Sequence, residues 1–179
     1  MDEPGSLDAT RTPPEYFAEL NKTYRFVQDL FASKENHLCG YFYTKEIDAL
    51  KQEWPRLLGE GWSFGNPMYS RGNIEPAVKK AIEQARKGSG VVYLIPATTG
   101  TAWFNDLILR PCDVLDGYTV DNPTFSGYCL NMSGIGYRQK VTFLKGRTPF
   151  LPPLGWDETK PWNPPATDSV ICEWQPPLR

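Results

Sequence analysis

Apolar and polar positions along the chain alternate between two periods. Val91-Val92-Tyr93-Leu94-Ile95 is a continuous apolar run ended by Pro96, the pattern of a strand buried on both faces of a parallel sheet. Just before it, Ile74, Ala77, Val78, Ala81, Ile82 and Ala85 recur at helical spacing. They predict a helix over 73–87 with Asn73 as its cap and Gly88 as its stop. Residues 24–30 read as a buried strand ending at an acid, Asp29. The short apolar run Trp62-Ser63-Phe64 reads as a second strand that breaks into a rigid loop at Gly65-Asn66-Pro67. Thr12-Pro13-Pro14 opens a helix over 15–21, with Thr12 as cap and proline in the first turn. Residues 45–52 suit a short helix or loop, 102–109 a helix, and 114–120, 140–144 and 170–174 further strands. Strands alternating with helices indicate an α/β sheet with helices on its faces. Two stretches lack either period: 121–139, rich in Gly, Ser, Asn and Tyr, and 147–167, rich in Pro and Trp. Loops of that length in a compact domain are often functional, and are otherwise ordered surface excursions.

Composition narrows the class. A length of 179 residues suits one domain, taken as 11–179 with an irregular insertion at about 121–139, after a flexible leader over 1–10. No apolar run approaches membrane-spanning length, and the first residues form no signal-peptide core, so the cytoplasm is the expected location. Cys39, Cys112, Cys129 and Cys172 are scattered, which suits free thiols in a reducing compartment. His37, the single histidine, stands near Cys39, but two ligands make no metal site, and no metal is expected. One histidine also argues against a hydrolase built on a Ser-His or Cys-His pair. The net charge of −2 argues mildly against a nucleic-acid footprint. Local clusters could still supply one: Arg71, Lys79, Lys80, Arg86 and Lys87, then Lys140, Lys145 and Arg147. Each cluster is equally readable as a solvated face.

The chemistry concentrates where strands meet loops, because ligands bind at the carboxyl ends of strands in open α/β sheets. The Asn66 amide both donates and accepts. Pro67 fixes its own φ and leaves its carbonyl free. Tyr69 offers a flat face two residues on. Two acceptors beside a stacking platform suit a planar base with an exocyclic amine. A strand-ending Asn-Pro turn with no ligand is the plainer alternative. Asp29 can accept hydrogen bonds from ligand hydroxyls or amines, or can cap the next turn.

Several pieces, in order, resemble the phage-type DNA N6-adenine methyltransferases, the Dam-like family. They are Arg11-Thr12-Pro13, Phe26-Val27-Gln28-Asp29-Leu30-Phe31-Ala32-Ser33, Asp48-Ala49-Leu50, Phe64-Gly65-Asn66-Pro67-Met68-Tyr69-Ser70, Leu94-Ile95-Pro96-Ala97-Thr98 and Phe143-Leu144-Lys145-Gly146-Arg147. The resemblance implies a Rossmann-like sheet that binds S-adenosylmethionine, with helices on both faces. It implies that Asp29 and Ala32 contact the methionine part of the cofactor, that Thr12 and Pro13 border that pocket, and that Asp48 lies near the cofactor's adenine. Asn66, Pro67 and Tyr69 fall on the family's Asn/Asp-Pro-Pro-Tyr motif. They would accept the hydrogens of an adenine amine and stack on a base flipped out of DNA. Arg71, Tyr137, Arg138, Lys145 and Arg147 become candidate DNA contacts, and protection of phage DNA from restriction becomes the implied role, in the host cytoplasm. Two departures stand out. Met68 replaces the motif's second proline, and the loop after Asp29 lacks the glycines that let backbone approach a ligand closely. They motivate the alternative of a catalytically silent relative that binds DNA, cofactor or a host protein.

Overall fold

One eight-stranded sheet organises the computed structural model, which describes residues 10–57, 60–70, 72–110 and 112–177. Its strands are β1 (Phe26–Asp29), β2 (Tyr41–Phe42), β3 (Trp62–Gly65), β4 (Gly90–Pro96), β5 (Cys112–Asp121), β6 (Ser126–Gly134), β7 (Tyr137–Leu144) and β8 (Ser169–Gln175). They lie in the order β2-β1-β3-β4-β8-β7-β6-β5. The first four run parallel, and from β4 onward every neighbouring pair is antiparallel. The fold is therefore mixed α/β, and the parallel pattern of β4 describes only half of the sheet.

The central strand explains the layering. Successive side chains on a strand point to opposite faces. Val91, Tyr93 and Ile95 of β4 join Val170, Cys172 and Trp174 of β8 on one face. There they pack against α2 (Ile74–Lys87), whose buried stripe is the one its spacing predicts. Val92, Leu94, Phe64 and Ile171 occupy the other face, under Tyr16, Leu20 and Tyr24 of α1 (Pro14–Tyr24). Full burial of such aliphatic side chains contributes about 1.5–3 kcal/mol each. Helices thus cover both faces of the parallel half. After β4, α3 (Ala102–Phe104) continues into a wider π-type turn over Asn105–Leu109.

Neither expected helix cap is made by a side chain, although Asn73 does hold the N-cap position of α2. Pro13 holds the N-cap position of α1, whose N–H groups receive no side-chain cap, and Thr12 is engaged elsewhere. Asn73 precedes α2 in a helical conformation and gives its amide to Ser70 at 2.5 Å instead of capping the helix. Gly88 does end α2, at φ 111, where a side chain would be strained.

The largest correction concerns 121–139. It is not irregular: β6 fills most of it, and a turn through Gly136 at φ 77 leads into β7. β5 and β6 form a hairpin arm in which Cys129 and Met132 are buried while β5 is exposed along most of its length. A solvated arm of this kind can be built from Gly, Ser and Asn, so the apolar alternation that marks a buried strand is absent. The leader expected over 1–10 lies outside the described residues except for Thr10, which is buried. Residues 147–167 carry no long element, as their composition suggests, and they return across the N-terminal segment. Arg11 and Leu151 exchange backbone hydrogen bonds of 3.1 and 3.0 Å, and Arg11 Nε donates to the Pro152 carbonyl at 2.7 Å.

Candidate active site

β1 and β3 are neighbouring parallel strands with Asp29 paired to Phe64, so the loops that follow them leave the sheet side by side. Leu30 N donates to Phe64 O at 2.9 Å, Tyr43 N to Asp29 O at 2.9 Å, and Ala32 N to Tyr43 O at 3.0 Å. These bonds fix the loop after Asp29 without glycine. Gly65 ends β3 where no side chain fits, since a Cβ there would stand 2.6 Å from Tyr93 Cε1 and 3.0 Å from Phe31 Cδ2.

The two loops wall a cleft of about 1240 Å³. Its lining brings together Thr12, Asp29, Ala32, Asp48, Asn66 and Pro67, six of the eight residues expected around a base and a cofactor. Pro13 is buried at the start of α1 and is not part of that lining. Tyr69 is also set back. Its hydroxyl donates to Leu94 O at 3.3 Å, and its ring meets Phe150 edge-on at 5.6 Å. Burial pushes the Tyr69 phenol well above its ordinary range. Sequence reasoning missed Leu38 and Phe42 on the walls, and Pro153 and Leu154 from the proline-rich return, while Phe31 and Met68 on the walls belong to motifs it had singled out. Only the unusual length of that return signalled Pro153 and Leu154.

Asp29 is 4 % exposed. Its Oδ2 accepts from Leu38 N at 3.1 Å and its Oδ1 from Phe31 N at 3.4 Å. Burial pushes its carboxyl up to about 6, against the lowering effect of those N–H groups and of His37. No ion pair reaches it among the described residues. A desolvated carboxylate with spare lone pairs on a cleft wall suits a cationic ligand group. Asp48 adopts φ 57, rare for a residue with a side chain, while its Oδ1 caps Leu50 N at 3.1 Å. The Lys51 ammonium, 3.0 Å away, leads the lowering of its carboxyl. Asn66 donates from Nδ2 to Thr12 Oγ1 at 3.1 Å, while its Oδ1 is buried with no partner among the described residues.

The proposed DNA contacts divide. Tyr137 is 1 % exposed, with its hydroxyl 3.5 Å from Cys112 Sγ and the Arg86 guanidinium 5.2 Å from its ring centroid. Arg138 is held by Gln175 Oε1 at 2.7 Å and Pro176 O at 3.3 Å. Both are engaged by the sheet, Tyr137 buried and Arg138 half-buried, which argues against their meeting DNA: residues opening an interior strand spend their side chains on its neighbours. Lys145 and Arg147 are exposed. β7 runs in the same direction as β4, so they leave the sheet at the edge that carries the cleft. Lys145 borders a second, smaller concavity with Asp121 and Tyr128. Arg71 lies outside the described residues.

Residues 4–114, more than half of the chain, match the family described as DNA N-6-adenine-methyltransferase (Dam). The chain belongs to this family. It is 39% identical over 109 residues to the DNA N-6-adenine-methyltransferase of Escherichia phage T1, an alignment covering 60% of this chain and 44% of that protein. It is 42% identical over 65 residues to YfdM of Escherichia coli (strain K12), covering 35% of this chain and 71% of that protein. The chain thus spans less than half the length of the phage T1 relative. No solved structure matches it. The Dam-family match contains every residue named on the cleft wall except Pro153 and Leu154, and it ends in β5, before Lys145 and Arg147. No helix among the described residues is long and apolar enough to cross a membrane.

Proposed function

We propose that this Dam-family chain moves a methyl group from S-adenosylmethionine to N6 of an adenine flipped out of DNA, on a Rossmann-like sheet. The observation that carries the reading is Asn66, a cleft-lining residue whose Oδ1 is buried and unpartnered among the described residues. An unsatisfied buried acceptor costs roughly 1–3 kcal/mol, which a ligand N–H would recover. An adenine amine supplies such an N–H, and its lone pair is freed for attack as its hydrogens are taken up by acceptors. Asn66 Oδ1 and the Pro67 carbonyl are the two acceptors, held in place before reaction and so able to favour the reacting form.

The residues present fit the cofactor. Its sulfonium supplies an electrophilic methyl when bound. Asp29 answers its ammonium, the one buried carboxylate on the cleft wall without a cation partner among the described residues. Ala32, on the same lining, takes the methionine part with Asp29, and Asp48 takes the adenine side. Lys145 and Arg147 contact phosphate, and restriction evasion is a role consistent with the phage relative.

A second reading is a silent Dam-family relative that binds DNA or cofactor without turnover. The set-back Tyr69 favours it, because its ring is committed to Phe150 and its hydroxyl to Leu94. Expression of the chain in cells lacking adenine methylation, followed by sequencing of their DNA for N6-methyladenine, decides between the two. Methylated adenine from the native protein and none from Asn66→Ala supports the enzyme. Cofactor binding without methylated adenine supports the silent relative.

A further inference from the structure

Thr12 and Asn66 stand 54 residues apart in sequence, and the fold brings their side chains to 3.1 Å. The two ends of an asparagine amide have nearly the same shape and opposite hydrogen-bonding sense. At an acceptor site only one orientation works: with the nitrogen turned toward a base amine, donor would face donor. An aspartate needs no such control, because its two oxygens are alike. Something on the wall must therefore decide which end of Asn66 faces the ligand.

Thr12 is placed to do so when its own hydroxyl hydrogen is directed away from the amide, since a hydroxyl that accepts can hold only the nitrogen end. It is 7 % exposed, and its Oγ1 accepts from Nδ2. Its backbone is fixed on one side by the Arg11–Leu151 bridge and on the other by Pro13 at the start of α1. The hydroxyl is thus anchored by two tertiary elements that do not belong to the Asn66 loop. With Nδ2 taken up, Oδ1 is left as the end without a partner.

We propose that Thr12 is a positioning residue for methyl transfer: its hydroxyl oxygen holds Asn66 Nδ2 and so turns Oδ1 toward the target amine. The inference rests on the methyltransferase reading and reassigns Thr12 from the cofactor to the base side of the cleft.

The test combines Thr12→Val and Thr12→Ser with the native Asn66 and with Asn66→Asp, in the full chain. Three quantities are read: the single-turnover rate of adenine methylation on mixed-sequence DNA, the dissociation constant for S-adenosylmethionine, and the side-chain amide NMR signals of Asn66. Those signals are identified by their loss in Asn66→Asp. With native Asn66, Thr12→Val should lower the rate about fivefold or more, the scale of one net hydrogen bond, with cofactor affinity unchanged. Thr12→Ser should restore it. In Asn66→Asp the same Thr12→Val change should cost less than about twofold, because a carboxylate needs no orienting. In the native protein one Asn66 amide proton should be shifted downfield and protected from exchange, and Thr12→Val should return it to the shift and exchange rate of an unbonded primary amide.

Equal rate penalties in the two backgrounds, or an Asn66 signal indifferent to Thr12, would overturn the positioning role. If Thr12→Val fails to fold, Thr12→Ala replaces it, and a native Asn66 amide whose two protons both show the shifts and fast exchange of a free primary amide overturns the proposal without any variant. Absence of methylation by the native protein sinks the methyl-transfer reading itself. Methylation with an unchanged amide signal sinks only the role of Thr12.

Discussion

The Asp29 carboxylate accepts a hydrogen bond from the backbone N–H of Leu38 at 3.1 Å, yet it stays buried without a cation beside it among the described residues. The N–H groups of Leu38 and Phe31 only partly offset desolvation, so the carboxyl sits at about 6. A ligand ammonium requires its charged form. Affinity for S-adenosylmethionine should weaken as pH falls through 6, by about tenfold between pH 7.5 and 5 if this one group dominates. Calorimetric titration at the two pH values checks this, and Asp29→Asn should bind weakly at both. Stability runs the other way. The folded-state value lies above the unfolded one, so the folded chain holds an extra proton between about pH 4 and 6. Asp29 therefore reduces stability as pH rises through that window. In Asp29→Asn the loss across the same window should shrink, read from denaturation midpoints at pH 4 and 6.5.

Gly65→Ala tests the packing beneath the loop that follows β3. The added Cβ would stand 2.6 Å from Tyr93 Cε1, and Tyr93 is fully buried under α2, so the ring has little room to yield. Overpacking of this kind costs about 1–3 kcal/mol. Gly40→Ala, with no atom within 4 Å of the new Cβ, is the control and should leave the denaturation midpoint nearly unchanged.

Under the methyl-transfer reading, Met68 should bear on rate more than on competence. It removes neither the Asn66 oxygen nor the Pro67 carbonyl. A proline at that position would hold Pro67 out of the helical region and aim its carbonyl. Restored rigidity is worth about 0.4–1 kcal/mol where the backbone accepts it. Met68→Pro should methylate as fast as the native protein or up to about fivefold faster, and Asn66→Ala should not methylate at all while still binding cofactor. Radiolabelled methyl transfer reads both.

Lys140 and Glu173 form a pair at 2.6 Å on the α1 face, with the carboxylate buried and the ammonium partly exposed, and the Tyr24 hydroxyl donates to the same Glu173 oxygen. Lys140→Met would leave a carboxylate that is 4 % exposed without its cation. Breaking a buried pair costs about 3–5 kcal/mol, and the partly exposed Lys140 places this one at the low end. The double variant Lys140→Met/Glu173→Met should recover much of that loss, measured by chemical denaturation.

DNA affinity should distinguish the exposed cations from the structural ones. Lys145→Gln and Arg147→Gln should each weaken binding across all sequences and lower the salt slope by about one. Arg138→Gln, whose native side chain is spent on Gln175 and Pro176, should leave that slope unchanged. Fluorescence anisotropy at several salt concentrations measures both effects.

Local periodicity determined a good part of this protein. The helical stripe from Ile74 to Ala85, the apolar run of β4 and the break at Gly65-Asn66-Pro67 were legible because each is set by residues close in sequence. The same holds for Asp29 as a strand-ending acid, and strand ends next to one another in a parallel sheet make a cleft whatever fills it. Tertiary structure decided the rest. The hairpin over 121–139 depends on pairing between β5, β6 and β7, which compensates for weak strand patterning through backbone hydrogen bonds that no single segment encodes. Tyr137 and Arg138 read like Lys145 and Arg147 in sequence, yet the first two point their polar ends at the sheet's own neighbours and the last two at solvent. Thr12 looked like a helix cap because a cap is a local device. Its actual partner, Asn66, is set by the packing of α1 and the Arg11–Leu151 bridge against the end of β3, a relation between distant segments that sequence spacing cannot carry.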